Sequence, residues 1–144
     1  LENEISSFKE AVTTNIWTNS IDDAKVSWAL RKDYAEAIAK VLVTDGHENT
    51  VYELSRKPVS VKELVGEISK VTGKEITVNN IDKTQYSEML KSNGLPEPVV
   101  EFIVSLQTSI TNGSLNVESE DFEKLLGHPV TSIEDSVKEI INNL

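Results

Sequence analysis

Acid–base, metal or nucleophilic chemistry in this chain would have to come from a short set of side chains. There are two histidines, three tyrosines and no cysteine. The missing cysteine excludes disulfides, thiolate nucleophiles and cysteine-ligated metals. His47 lies in the polar run Asp45-Gly46-His47-Glu48-Asn49, and His128 in the turn Gly127-His128-Pro129. The two are far apart in sequence and neither has a second ligand at metal-binding spacing, so both are expected in structural or solvated roles. Adjacent carboxylates occur at Asp22-Asp23 and Glu120-Asp121. The second pair opens a helix, where the dipole favours negative charge, and nothing gathers two carboxylates for acid–base work. A tyrosine with a lysine four residues later would signal proton transfer to a carbonyl, but four residues after Tyr34, Tyr52 and Tyr86 stand Ile38, Arg56 and Leu90. None of the six glycines belongs to a G-x-G-x-x-G or G-x-x-x-x-G-K-[ST] loop, so no turn is built to cradle a phosphate. What remains is Trp17 and Trp28, which flank Asp22-Asp23. Aromatics beside a turn are most often core, but flat apolar groups also hold planar ligands. They are the candidate substrate-binding residues; no catalytic, cofactor-binding or metal-binding residue is expected in the chain.

These side chains must be positioned by the elements around them. Ile5, Phe8 and Val12 fall at helical spacing within Leu1–Thr14, with Ser7 and Glu10 placed for a local box. Ile16-Trp17, and Val26, Trp28 and Leu30 alternating with Lys25, Ser27 and Ala29, predict extended pieces between Asn15 and Leu30. Asp33 reads as a helix cap with Glu36 closing a reciprocal box. Ala35, Ile38, Val41 and Leu42 then form one apolar face, the alanines at 35, 37 and 39 permit close packing on a sheet, and Asp45-Gly46 stops the helix. Thr50–Leu54 is predicted as a strand. Ser60-Val61-Lys62-Glu63 is a capping box leading Leu64, Val65, Ile68 and Val71, with Gly73 as the stop. Glu75–Asn79 predicts a strand, and Asp82–Gln85 starts a helix holding Tyr86, Met89 and Leu90. Pro96 and Pro98 sit at the start of the next helix, which carries Val99, Phe102, Ile103, Leu106 and Ile110. A short helix over Phe122, Leu125 and Leu126 ends at Gly127, and Thr131–Glu134 caps the last one. About seven helices and three or four short strands give an α/β protein (α+β if it stands alone), with helices packed on a small mixed sheet in one domain, 1–144.

The composition sets limits on partners. With 38% apolar and 26% charged residues over 144 positions, the chain is too apolar to be disordered and too polar to be a membrane protein, and no window approaches the ~18 apolar residues of a membrane span. A net charge of −10 repels nucleic acid and anionic membranes, so neither is expected as a partner. The absence of cysteine and of an apolar signal core fits a cytoplasmic protein. The chain begins at Leu1 without a methionine, and the expectation is a piece of a longer polypeptide.

Three stretches together resemble a known family. Arg31-Lys-Asp33-Tyr-Ala-Glu-Ala37-Ile-Ala-Lys-Val-Leu42 is similar to the R-x-D-x-A-x-A helix of extended and atypical short-chain dehydrogenases. His47-Glu-Asn-Thr-Val-Tyr52-Glu-Leu54, then Ser60-Val-Lys-Glu-Leu64, is similar to the segment that follows it there. Thr72-Gly73-Lys74-Glu-Ile-Thr-Val78, Gly94-Leu-Pro96 and Leu126-Gly127-His128-Pro129-Val-Thr131-Ser132 match the tail in order. The set resembles the NmrA-like group, and within it the NAD(P)H:quinone oxidoreductases of type 2, over nearly the whole chain. The resemblance implies the carboxyl-terminal, substrate-side portion of a Rossmann-type reductase, with NADP or NAD held by an amino-terminal half that this chain lacks. It implies hydride transfer to quinones or similar electrophiles in the full-length protein, and a fragment that by itself binds no cofactor and is inactive. It also implies a structural role for Asp33, a brace at Arg31 against the nucleotide half, and a substrate cleft lined by Asn15–Trp28. Two other readings stand beside it: a non-catalytic NAD(P)-sensing regulator of the NmrA type, and an acidic protein-interaction module. A chain separated from its other half would also expose apolar surface near Ala35, Ala39 and residues 50–54, and self-association is expected.

Overall fold

Two capping boxes form, one of them, Ser60 with Glu63, as the sequence predicts and the other at the expected helix start Asp82–Gln85. Ser60 accepts a hydrogen bond from the Glu63 N–H while Glu63 accepts from the Ser60 N–H; Asp82 and Gln85 exchange the same pair. They open two of seven helices in the computed structural model, which describes residues 1–144. A 3-10 turn at Glu2–Glu4 leads into α1 (Ile5–Thr14), followed by β1 (Ile16–Asn19), β2 (Lys25–Val26), α2 (Arg31–Val43), β3 (Val59–Ser60), α3 (Val61–Thr72), β4 (Thr77–Asn80), α4 (Lys83–Ser92), α5 (Glu97–Thr111), α6 (Asp121–Leu126) and α7 (Ile133–Asn142). The α/β class expected from the sequence is the observed one. The strands form two separate two-stranded ladders: β1 runs parallel to β4, in the register Trp17 with Val78 and Asn19 with Asn80, and β2 runs antiparallel to β3.

Two apolar clusters organise the chain. The larger gathers Phe8 from α1, Trp17 from β1, Leu64, Val65 and Ile68 from α3, and Val137 and Ile140 from α7. The smaller holds Ala29, Ala37, Phe122, Leu126 and Val130, joining α2 to α6. The alanine row of α2 therefore packs on a helix rather than a sheet. Ala37 is the buried member, because its lack of bulk lets Phe122 approach, while Ala35 and Ala39 are exposed.

Five local expectations are corrected, most of them by a longer-range contact. Asp33 is not the cap of α2. The Glu2 carboxylate accepts from the Arg31 N–H at 2.8 Å and satisfies the helix start from another element, so α2 begins three residues early, with Leu30 rather than Asp33 as its N-cap. Asp33 lies buried in the first turn and accepts from the Thr131 hydroxyl at 2.7 Å. With Thr131 engaged there, Ser132 caps α7 through the Asp135 N–H. Thr50–Leu54 is not a strand, since no strand edge faces it; its Glu53 N–H is taken by the Asp121 carboxylate. The extended run after Val26 pairs with loops instead of a ladder: the Ser27 N–H donates to the Leu115 carbonyl and its hydroxyl to that of Arg56. The Ser7–Glu10 box is also absent, because Ser7 turns to Glu4 and Glu10 accepts from Thr18.

Candidate functional site

β1 is the element that positions polar groups inside the protein. It lies on β4 on one side and under α1 on the other, so its residues after Ile16 are enclosed. Trp17, 2% exposed, meets Phe8 edge-on with ring centroids 5.4 Å apart. The three residues that follow are polar and also buried: Thr18, Asn19 and Ser20, the last two each 4% exposed. Thr18 donates to Glu10 at 2.9 Å. The Asn19 amide oxygen accepts from the Ile21 N–H at 3.0 Å, which turns the chain at the strand end, but its Nδ2 has no partner, nor does the Ser20 hydroxyl. A buried polar group without a partner costs about 1–3 kcal/mol. The two fall in consecutive residues at the carboxyl end of β1, the strand that pairs in parallel with β4.

Two openings lie near this strand end. An inner cavity of about 20 Å³ has Glu4, Trp17, Asn19, Trp28, Tyr86 and Gln107 in its wall. An outer cleft of about 680 Å³ runs from Ser20 and Asp22 across Asn80 to Lys83 and Gln85 at the start of α4. Asp22 is held there in a left-handed conformation, φ 50°, and exchanges hydrogen bonds with the Asn80 side chain at its backbone N–H and carboxylate. Burial raises the Glu4 carboxyl, opposed by the Ser7 hydroxyl. Burial also raises the Tyr86 phenol, helped by the charges of Glu4 and Glu10. Amide and hydroxyl groups therefore stand here beside a carboxyl and a phenol whose ionisation burial opposes.

Trp17 and Trp28 both border the inner cavity, though each is more than nine-tenths buried and forms part of the main core. Asn19 and Ser20 fall within the expected Asn15–Trp28 segment but were not singled out from it; Tyr86 and Gln107, which border the inner cavity, lie outside that segment. The visible signal was the polar run Thr18-Asn19-Ser20 directly behind the apolar Ile16-Trp17. The histidines take local roles. His47 lies 2.7 Å from both the Tyr52 and Thr44 hydroxyls. His128 bridges the Pro129 carbonyl and Glu36, and both contacts raise its pKa. No helix is long and apolar enough to cross a membrane.

The fold is the one found in the carboxyl-terminal portion of Rossmann-type reductases. No family model matches the chain. Over 142 residues, 98% of its length, it is 32% identical to quinone oxidoreductase 2 of Escherichia coli (strain K12) and covers 50% of that protein. The crystal structure of the Escherichia coli NADPH-dependent quinone oxidoreductase complexed with NADPH superposes with a TM-score of 0.91, at 32% identity, over 98% of this chain and 50% of that one. Triphenylmethane reductase of Citrobacter sp., complexed with NADP(H), superposes at 0.86, with 27% identity over 92% of this chain and 47% of that one. The chain is a homologue of the NmrA-like reductases of the atypical short-chain dehydrogenase family, with quinone oxidoreductase 2 among its relatives. It spans about half the length of the curated relatives it matches.

Proposed function

We propose that this chain is the substrate-side part of an NAD(P)H-dependent reductase acting on quinones or similar electrophiles, in a polypeptide whose other half holds the nucleotide. The observation that carries the reading is the match of 98% of the chain to half of quinone oxidoreductase 2, with the fold kept throughout. The chain's own residues do not fit a dinucleotide. Its left-handed glycines, Gly46, Gly73, Gly94, Gly113 and Gly127, all follow helices, whereas a pyrophosphate site needs them leading from a strand into a helix. The role left to this part is to hold the acceptor in position and keep water away from it. In that role Trp17 and Trp28 form the rigid rear wall of the substrate cleft. A second feature favours a two-part enzyme: Ala37, Ile38, Val41, Leu42, Tyr52, Leu54 and Leu125 line an entirely apolar groove of about 230 Å³ on α2 and α6. This is a surface suited to the other half of the polypeptide.

The test is the longer polypeptide, supplied with NADPH and a quinone while the nicotinamide absorbance is followed. Quinone-dependent oxidation of the nucleotide supports the reading. Neither turnover nor nucleotide binding sinks it. Nucleotide binding without turnover would move the protein to the redox-sensing class.

A further inference from the structure

β4 has an open edge. Its one strand partner is β1, in a parallel ladder of two strands. The N–H groups of Thr77 and Ile81 donate to the Asn15 and Asn19 carbonyls. Bonding to a given neighbour involves alternate residues along a parallel strand, so the backbone groups of Ile76, Val78 and Asn80 point away from β1. The Ile76 N–H is taken there by the Ser69 hydroxyl of α3 at 3.3 Å. Beyond it no strand receives Val78 or Asn80, and a groove of about 660 Å³ opens between β4 and α3. Ile76, Val78 and Asn80 line this groove, whereas Thr77 and Asn79 do not.

On the α3 side the groove meets Val61 and Val65, then Gly66. Gly66 lies one turn before Ser69 on the same helix face, and a Cβ at this position would meet nothing within 4 Å. A glycine inside a helix costs stability relative to alanine. Here it leaves bare backbone where the edge of β4 becomes free, the arrangement that lets another chain approach closely. The charged groups at the groove are Asp22, Asp23 and Lys62, two carboxylates against one ammonium, in a chain of net charge −10. A second, equally acidic copy of the chain is disfavoured there, and a basic segment is favoured.

We propose that the β4 edge is a docking site for an extended, basic peptide segment of a partner protein. The segment adds as a strand beside Val78 and Asn80 and lays an aliphatic side chain over Gly66 against Val61 and Val65. Main-chain hydrogen bonds hold such a strand, and the pocket for alternate side chains selects it. The site stands apart from the reductase reading. Only Asp22 and Asn80 also border the outer cleft, and the groove floor belongs to α3 and β4.

The experiment titrates the full chain with a synthetic, end-capped peptide of alternating valine and threonine that carries a lysine at each end. Backbone amide shifts and the heat of binding are followed. Saturable binding is expected, with the largest shifts at Val78, Asn80 and residues 62–66. Methylating the peptide nitrogens that pair with β4 should weaken binding about tenfold or more, since each lost backbone bond counts separately. Glutamate in place of the lysines should weaken it several-fold, and added salt should weaken the lysine peptide. Gly66→Phe, which fills the groove from the α3 side, should abolish binding. Should Gly66→Phe fail to fold, the methylated peptide with the wild-type chain carries the test. No saturable binding, equal affinity for the methylated or the glutamate peptide, or shifts centred on Ile38 and Leu42 instead would each overturn the proposal.

Discussion

The two apolar clusters are built from similar residues, yet one is finished and the other is not. Around Phe8, Trp17, Leu64, Ile68 and Val137 every large side chain is covered by α1, α3, α7 or β1. Around Ala37, Phe122 and Leu126 only one side of α2 is covered. On its other side and in the loop beyond, Leu42, Val43 and Val51 are 78%, 80% and 91% exposed, and Ile38 is more than half exposed. The apolar periodicity that drives helix formation is present in both regions. The difference is whether a second layer exists to receive it. The closed cluster buries its apolar residues; the open one leaves an apolar stripe of α2 uncovered.

The sharpest test of that contrast compares equal truncations in the two regions. Phe8 is fully buried and stacks on Trp17, so Phe8→Ala should cost about 3–5 kcal/mol in chemical denaturation. Leu42→Ala, on the exposed stripe, should stay within about 0.5 kcal/mol. Comparable losses at both sites would mean that the α2 face is covered in solution and that the contrast is mistaken.

Between the clusters runs a polar seam, and it is where sequence and structure diverged most. Thr131 donates to the buried Asp33 and its carbonyl accepts from Arg56, joining the start of α2 to the approach to α7. Thr131→Val keeps the shape, removes the donor and leaves Asp33 short of a partner, at a cost of about 1–3 kcal/mol in the same assay. No loss would show that the seam is filled by water and carries no strain. The helices on either side were legible because their signals are local: Ser60 with Glu63, Asp82 with Gln85, and Gly73 and Gly127 at helix ends. Asp33 was misread because the same local signal, an acid three residues before a glutamate, was overridden by Glu2 reaching in from the first turn. β1 and β4 were legible as extended pieces, but not their parallel pairing, which joins Asn15–Asn19 to Thr77–Ile81 across two helices. The tryptophans were legible as aromatic candidates. Asn19 and Ser20 were legible only as members of the Asn15–Trp28 segment and of a polar run; their burial was not, since it is a property of what packs over them.

The exposed stripe can be probed by association as well as by stability. With this stripe uncovered, the chain should self-associate through Ile38, Leu42 and Val43, with an apparent mass by light scattering that rises with concentration. Leu42→Glu with Val43→Glu should restore a monomer while changing the unfolding midpoint little, because neither side chain belongs to a core cluster. A wild-type chain that remains monomeric at high concentration would remove self-association from the account.

The smallest effect distinguishes the edge of the open region from its centre. His128 lies beside α2, where contacts with the Pro129 carbonyl and Glu36 raise its pKa above the ordinary histidine value of about 6.5. Glu36 is correspondingly lowered, first by the His128 hydrogen bond and then by the other contributions of His128 and Lys40. The folded form therefore holds the His128 proton more tightly than the unfolded form. The stabilisation is complete below the unfolded pKa and is lost as pH rises through the folded one. Both side chains are about half exposed and screened, so the difference between wild type and His128→Gln should be small. It should be present at about pH 5.5 and absent at about pH 8.5. Because the contact ties the α6–α7 turn to α2, hydrogen exchange should localise the change to the amides around Gly127–Val130 and leave α1 and α3 untouched. A pH-dependent difference spread through the closed cluster would mean that the two regions unfold as one unit.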